Sequence, residues 1–140
     1  MEEKVGKYSR NQLHELAMVC LYQFLVLRRV EAKPDLREII ESTMDQPLSE
    51  TDPLVRKIVV SAISNLPEVV NYISVNMVED WEFERLNHIN QALLILGYVE
   101  IIYCGVPKPV AINVVVKLAQ KFSDEDAYKM INGILDTINK

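Results

Sequence analysis

The sequence predicts an all-α fold: a single-domain helical bundle of about seven helices. Three observations carry this expectation. Apolar residues recur at helical spacing along most of the chain. Several of these runs begin with a residue type that caps helices. Only four glycines and six prolines occur among the 140 residues, and the prolines fall between the periodic segments, which favours helices on short connections over a turn-rich β fold. A chain of 140 residues fits one domain able to bury about two thirds of its unfolded surface. Residues 1–140 are therefore read as one unit, with 1–8 as a mobile tail and no convincing strand.

Ser9 with Gln12 three residues on has the form of a capping box. The helix it opens carries an apolar stripe of Leu13, Leu16, Ala17, Cys20, Leu21, Phe24 and Leu27, and Arg28 and Arg29 complement the dipole at its end. Pro34 and Asp35 open a short second helix with Leu36, Ile39, Ile40 and Met44 apolar. Asp52-Pro53 starts a third, since Asp caps and Pro is pre-set for the first helical position. Pro67 begins a fourth. Asp80 and Trp81 mark the start of a long fifth helix running to about Tyr103, in which Gly97 implies a close helix–helix approach. Gly105 ends it. Residues 110–118 are apolar nearly all round, as expected of a helix in the middle of a bundle. Ser123 is expected to cap the final helix, with Asp124, Glu125 and Asp126 in its first turn.

The net charge of −5 hides an asymmetry. Residues 1–37 hold seven Lys/Arg against five Asp/Glu, residues 38–100 three against eleven, and residues 101–140 five against four. Both ends are thus suited to an anion and the middle to a basic protein partner. Cys20 and Cys104 each sit in an apolar segment without a CxxC pairing, as for two free buried thiols in a reducing cytoplasm. The most apolar stretch, residues 92–106, is too short for a membrane span and contains Glu100. A cytoplasmic protein is expected.

No constellation for catalysis emerges. The glycines are isolated, so no phosphate-cradling loop is present. Glu84 and His88 share one helix face at i, i+4, half a metal site at most, and read as a surface hydrogen bond. Glu79, Asp80, Glu82 and Glu84 read as a solvated helix start. No metal, no cofactor and no enzymatic activity are expected. Glu100, Asn113, Asn132 and Gly133 interrupt apolar helices and are expected to make structural contacts between them, because an unpaired polar group in a core is costly.

Several motifs in order resemble one family. Val106-Pro107-Lys108-Pro109-Val110-Ala111-Ile112-Asn113, followed by Lys117-Leu118-Ala119-Gln120-Lys121-Phe122, is similar to the NusB pattern VPxxVAINEAVELAKKF. Asp126 through Ile131-Asn132-Gly133-Ile134-Leu135-Asp136 resembles DSxKFVNGVLD. Asn90-Gln91-Ala92-Leu93-Leu94 through Glu100-Ile101 resembles xxAILRLAxYEL, and Arg10, Glu15-Leu16-Ala17 and Leu21-Tyr22 match the opening RRxARExALQxLY. The resemblance implies an all-helical transcription antitermination factor. It would bind the boxA element of nascent ribosomal RNA together with NusE, a small-subunit ribosomal protein, within an assembly on RNA polymerase. By motif match, Arg10, His14, Tyr22, Phe122, Asp126 and Lys129 are implied to face RNA. Tyr22 and Phe122 would stack on unpaired bases, although helical spacing alone suits them equally to core packing. Glu84 and Asn90 are implied to face NusE, and an exposed helix stripe would also serve a homodimer.

The chain departs from the family pattern. Its N-terminal arginine cluster is reduced to Arg10, with Asn11, Gln12 and His14 where further basic residues are expected, and Val114 and Ile95 replace a family Glu and Arg. Each lost phosphate contact weakens RNA binding and flattens its salt dependence. The alternative reading is therefore a protein–protein module of the same fold with weakened or lost RNA binding.

Overall fold

The computed structural model describes residues 4–5, 7–31, 33–78 and 80–139. Among them are seven α-helices: α1 (Arg10–Leu27), α2 (Leu36–Met44), α3 (Pro53–Ser64), α4 (Leu66–Val75), α5 (His88–Ile102), α6 (Lys108–Phe122) and α7 (Glu125–Asp136). Two single-turn 3-10 helices, Leu48–Glu50 and Phe83–Arg85, lie in the connections.

Local chemistry sets several starts as expected. Gln12 N–H donates to Ser9 Oγ at 3.3 Å and Ser9 N–H to Gln12 Oε1 at 2.8 Å, closing the capping box of α1. Asp52 accepts from Leu54 N–H at 2.8 Å, with Pro53 as first residue of α3.

Other starts differ. The long helix expected from residue 81 is broken: a 3-10 turn is followed by extended Leu86, and α5 begins only after Asn87, whose side chain accepts from Asn90 N–H at 2.8 Å. A side-chain oxygen that can satisfy the free amides of a first turn wins over continued helix at this position. Glu84 and His88 therefore do not share a helix face. Ser123 is extended and ends α6, while Asp124 caps α7 by accepting from Ala127 N–H at 2.8 Å.

The centre of the bundle is α5 rather than α6. Every residue from Asn90 to Ile101 is buried, and α5 packs against α1, α3, α4, α6 and α7. In α6 only Ala111, Val115, Leu118 and Ala119 are buried, and Val110 is exposed, so its run of valines spans a one-sided helix. Gly97 permits the approach of α5 and α7: a Cβ there would lie 2.5 Å from Leu135 Cδ1.

The chain start also carries structure that its sequence does not announce. Lys4–Val5 pairs antiparallel with Tyr8–Ser9, a ladder too short for any alternation to be read. The Tyr8 hydroxyl donates to the Met44 carbonyl at 2.7 Å, and Lys7 Nζ lies 3.1 Å from Asp45 Oδ2. Residues 7 and 8 are thus anchored on α2, while residues 1–3 and 6 of the expected tail lie outside the described residues.

Of the polar residues expected inside, only Glu100 is buried; Asn113, Asn132 and Gly133 are exposed. Cys20 is buried, and burial pushes its thiol up to about 11. Cys104 is half-buried, since it lies past the end of α5, and burial raises its thiol too. Among the described residues no single helix is long and apolar enough to cross a membrane.

Candidate nucleic-acid interface

Residues 11, 15 and 22 of α1 lie within about 40° of one another on a 3.6-residue helix, so they share one face. This face borders α6. Lys121 Nζ, on the last turn of α6, meets Glu15 Oε1 at 2.7 Å and lies 5.1 Å from the centre of the Phe122 ring. Between the two helices runs a groove of about 240 Å³, lined by Asn11, Glu15, Asn113, Val114, Lys117, Leu118 and Lys121.

The two helices that form this groove each expose one aromatic ring. Tyr22 is 37% exposed and Phe122 40% exposed; among the described residues, the other large apolar side chains exposed to this degree are all valines. Tyr22 stands edge-on to the His88 ring, with centroids 6.4 Å apart, so α1 presents it over the first residue of α5. The connection after Phe122 is fixed to the same helix. Ser123 Oγ donates to Asn90 Oδ1 at 2.7 Å, which ties the α6–α7 turn to the first turn of α5.

The residues expected at an RNA face are divided by this arrangement. Tyr22 is exposed on the α1 face that carries Glu15, and Phe122 is exposed on α6 next to Lys121. Asp126 and Lys129 are exposed on the first turns of α7, and Lys129 pairs with Glu125 at 3.2 Å. Arg10 is exposed at the start of α1 but stands about 120° around the helix from Tyr22. His14 points into the core, where its side chain is 6% exposed and Nδ1 lies 2.9 Å from Glu100 Oε1. It is therefore not a surface group.

The two residues expected at a protein partner also separate. Asn90 is buried and engaged with Ser123. Glu84 is exposed and lines a small cleft with Leu25, Arg28, Arg29, Leu86, His88 and Gln91, without an ion pair to either arginine among the described residues. Lys117 and Lys121, which line the groove, are not among the residues that the sequence assigns to an RNA face. The available signal was the place of Lys117 one turn before Lys121, on the helix face that leads to Phe122.

The arrangement offers stacking surfaces and cations. Among the described residues there is no group of three or more His, Cys, Asp or Glu placed to hold a metal ion. Fold and surface together define a helical bundle that displays an aromatic ring on each of two helices whose shared groove lysines line.

Comparisons with known proteins agree with that class. A sequence model of the NusB family matches residues 11–140. The transcription antitermination protein NusB of Finegoldia magna is 32% identical over 134 residues, covering 94% of each chain. Among solved structures, T. maritima NusB superposes with a TM-score of 0.77 at 23% identity, over 97% of this chain and 90% of that one. A structure of antitermination factors NusB and NusE in complex with dsRNA gives a TM-score of 0.74 at 21% identity, over 91% and 92%. These superpositions establish the shared fold. The chain belongs to the NusB family.

Proposed function

We propose that this chain is a transcription antitermination factor that binds boxA-type single-stranded RNA together with NusE and joins an antitermination assembly on RNA polymerase. It acts as one 140-residue domain in the cytoplasm and catalyses no reaction. The observation that carries this reading is the exposure of Tyr22 and Phe122 on α1 and α6, the two helices whose shared groove Lys117 and Lys121 line. Solvent-facing aromatic rings next to cations are the recognition chemistry of unpaired RNA, whose bases stack while their phosphates are neutralised. Family membership supports the same reading, because the relative from Finegoldia magna is an antitermination protein. Asp126 and Lys129 extend the face across the start of α7, and Arg10 adds a cation at the start of α1. His14 has a structural part.

A second reading is favoured by one observation: Lys121 and Lys129 are already ion-paired, with Glu15 and Glu125. A module in which those pairs persist would bind protein partners, NusE or a second copy of the chain, and little RNA. Titration of a boxA-type RNA into the chain, alone and with NusE, separates the two. Binding that NusE strengthens is expected. No binding in either condition would leave the protein–protein module.

A further inference from the structure

At the far end of α1 from the groove, the cleft that Glu84 lines has a distinct composition. Leu25 and Leu86, both buried, line it together with Arg28, Arg29 and His88. Its volume is about 70 Å³. That is less than a third of the volume of the groove between α1 and α6. Arg28 and Arg29 are exposed, and among the described residues neither side chain has an acidic partner within ion-pair distance, in contrast to Lys121 and Lys129. His88 links this cleft to Tyr22, since it lines the one and meets the ring of the other. Arg28 follows Tyr22 by six positions, a rise of about 9 Å along the helix and about 120° around it, while Arg29 follows by seven and returns to within about 20° of the Tyr22 face.

We propose that Arg28 and Arg29, with His88, form a phosphate-binding subsite that continues the RNA path beyond Tyr22 to the C-terminal end of α1. This rests on the reading that Tyr22 stacks an RNA base. A strand held there and running along α1 would bring a neighbouring phosphate over two guanidinium groups, whose planar fork suits phosphate oxygens. The subsite adds cations at one end of α1, whereas at the other Arg10 stands with Asn11 and Gln12 in place of further basic residues. Glu84 sits on the same rim and opposes the anion, so its removal should help binding.

Arginines at a helix C-terminus also complement the helix dipole. A capping role alone predicts lower stability and an unchanged RNA interaction, which makes the two roles separable. The test uses the full chain with NusE, a labelled single-stranded boxA-type RNA, and salt between about 50 and 200 mM. Wild type is compared with Arg28→Gln/Arg29→Gln, Arg28→Lys/Arg29→Lys and Glu84→Gln. Two lost phosphate contacts should make the log–log salt slope less steep by about 1.4, at ~0.7 per contact for single strands, so that the variant's disadvantage shrinks about sevenfold across that range. The lysine pair should keep the slope, and Glu84→Gln should bind more tightly than wild type.

A glutamine pair with wild-type affinity and slope, whether or not its melting temperature falls, overturns the subsite while leaving the Tyr22 reading in place. A wild-type chain that binds no RNA overturns both.

Discussion

His14 Nδ1 lies 2.9 Å from Glu100 Oε1 inside the bundle, where the two side chains are 6% and 0% exposed. The contact joins α1, which carries Tyr22, to α5, the central helix. Neither atom makes an aligned hydrogen bond, and the second carboxyl oxygen, Oε2, has no partner among the described residues. The pair is thus a close contact of two buried polar groups, without the additional hydrogen bonds that would offset their desolvation.

Removing one member should therefore be far more harmful than removing both. His14→Ala is expected to destabilise the chain by about 3–5 kcal/mol, because it strands a carboxyl in the core. A double replacement by apolar residues, His14→Leu with Glu100→Met, should recover most of that loss or exceed wild type. Urea unfolding of the three variants checks this. Additive losses would show that the two groups are not coupled.

Gly97→Ala tests the α5–α7 approach. Helix propensity alone favours alanine by about 1 kcal/mol. The added methyl would meet Leu135 Cδ1 at 2.5 Å and Cδ2 at 2.9 Å, and Leu135 is fully buried. Overpacking of this kind costs roughly 1–3 kcal/mol. A lower melting temperature is expected, partly restored when Leu135→Val is added. A rise in stability for the single variant would mean that Leu135 yields freely.

These two relationships show how much of the molecule is legible in its sequence. Gly97 could be read as a close approach because a glycine within an apolar helix has few other reasons to persist. Its partner could not, because nothing local marks Leu135. The fold class was legible for the same reason: capping at Ser9 and at Asp52-Pro53, and helical periodicity, are local signals. The Asn87 cap was hidden by the equally good start signal at Asp80 and Trp81, and Ser123 competed with an adjacent Asp124 of the same capping type. The motif match implies that His14 faces RNA, whereas the structure buries it. Its spacing from Ala17 and Leu21 puts it on the buried stripe, so the periodicity held the better information. At the candidate interface the aromatics were legible and their exposure was not, since helical spacing suits a core residue and a stacking platform alike.

The Glu15–Lys121 contact is a brake on RNA binding in this account. Lys121 is 60% exposed and Glu15 34%, so the pair contributes at most about 1 kcal/mol to stability. Glu15→Gln should leave unfolding nearly unchanged. It should also free Lys121 for a phosphate, tightening RNA binding and steepening the salt slope by about 0.7. An unchanged slope would place Lys121 off the RNA path.

Asn90 has a structural role that can be measured directly. Its Oδ1 accepts from Ser123 Oγ at 2.7 Å, and the bond holds the turn after Phe122. Asn90→Ala is expected to lower stability by about 1 kcal/mol and to weaken RNA binding through the displaced turn. Ser123→Ala should reproduce both effects. Weakened NusE binding with full stability would instead make Asn90 a contact residue.

The central claim is that Tyr22 and Phe122 are stacking platforms rather than incidental exposed aromatics. The most direct measurement is the affinity of a boxA-type RNA, with NusE present, for wild type, Tyr22→Ala, Phe122→Ala and the double variant. Stacking is worth about 1–3 kcal/mol per base, so each single variant should lose roughly 5- to 150-fold in affinity, and the double variant should lose more than either. Circular dichroism should report an unchanged helical fold in all of them. A folded double variant that binds RNA as tightly as wild type would contradict the account.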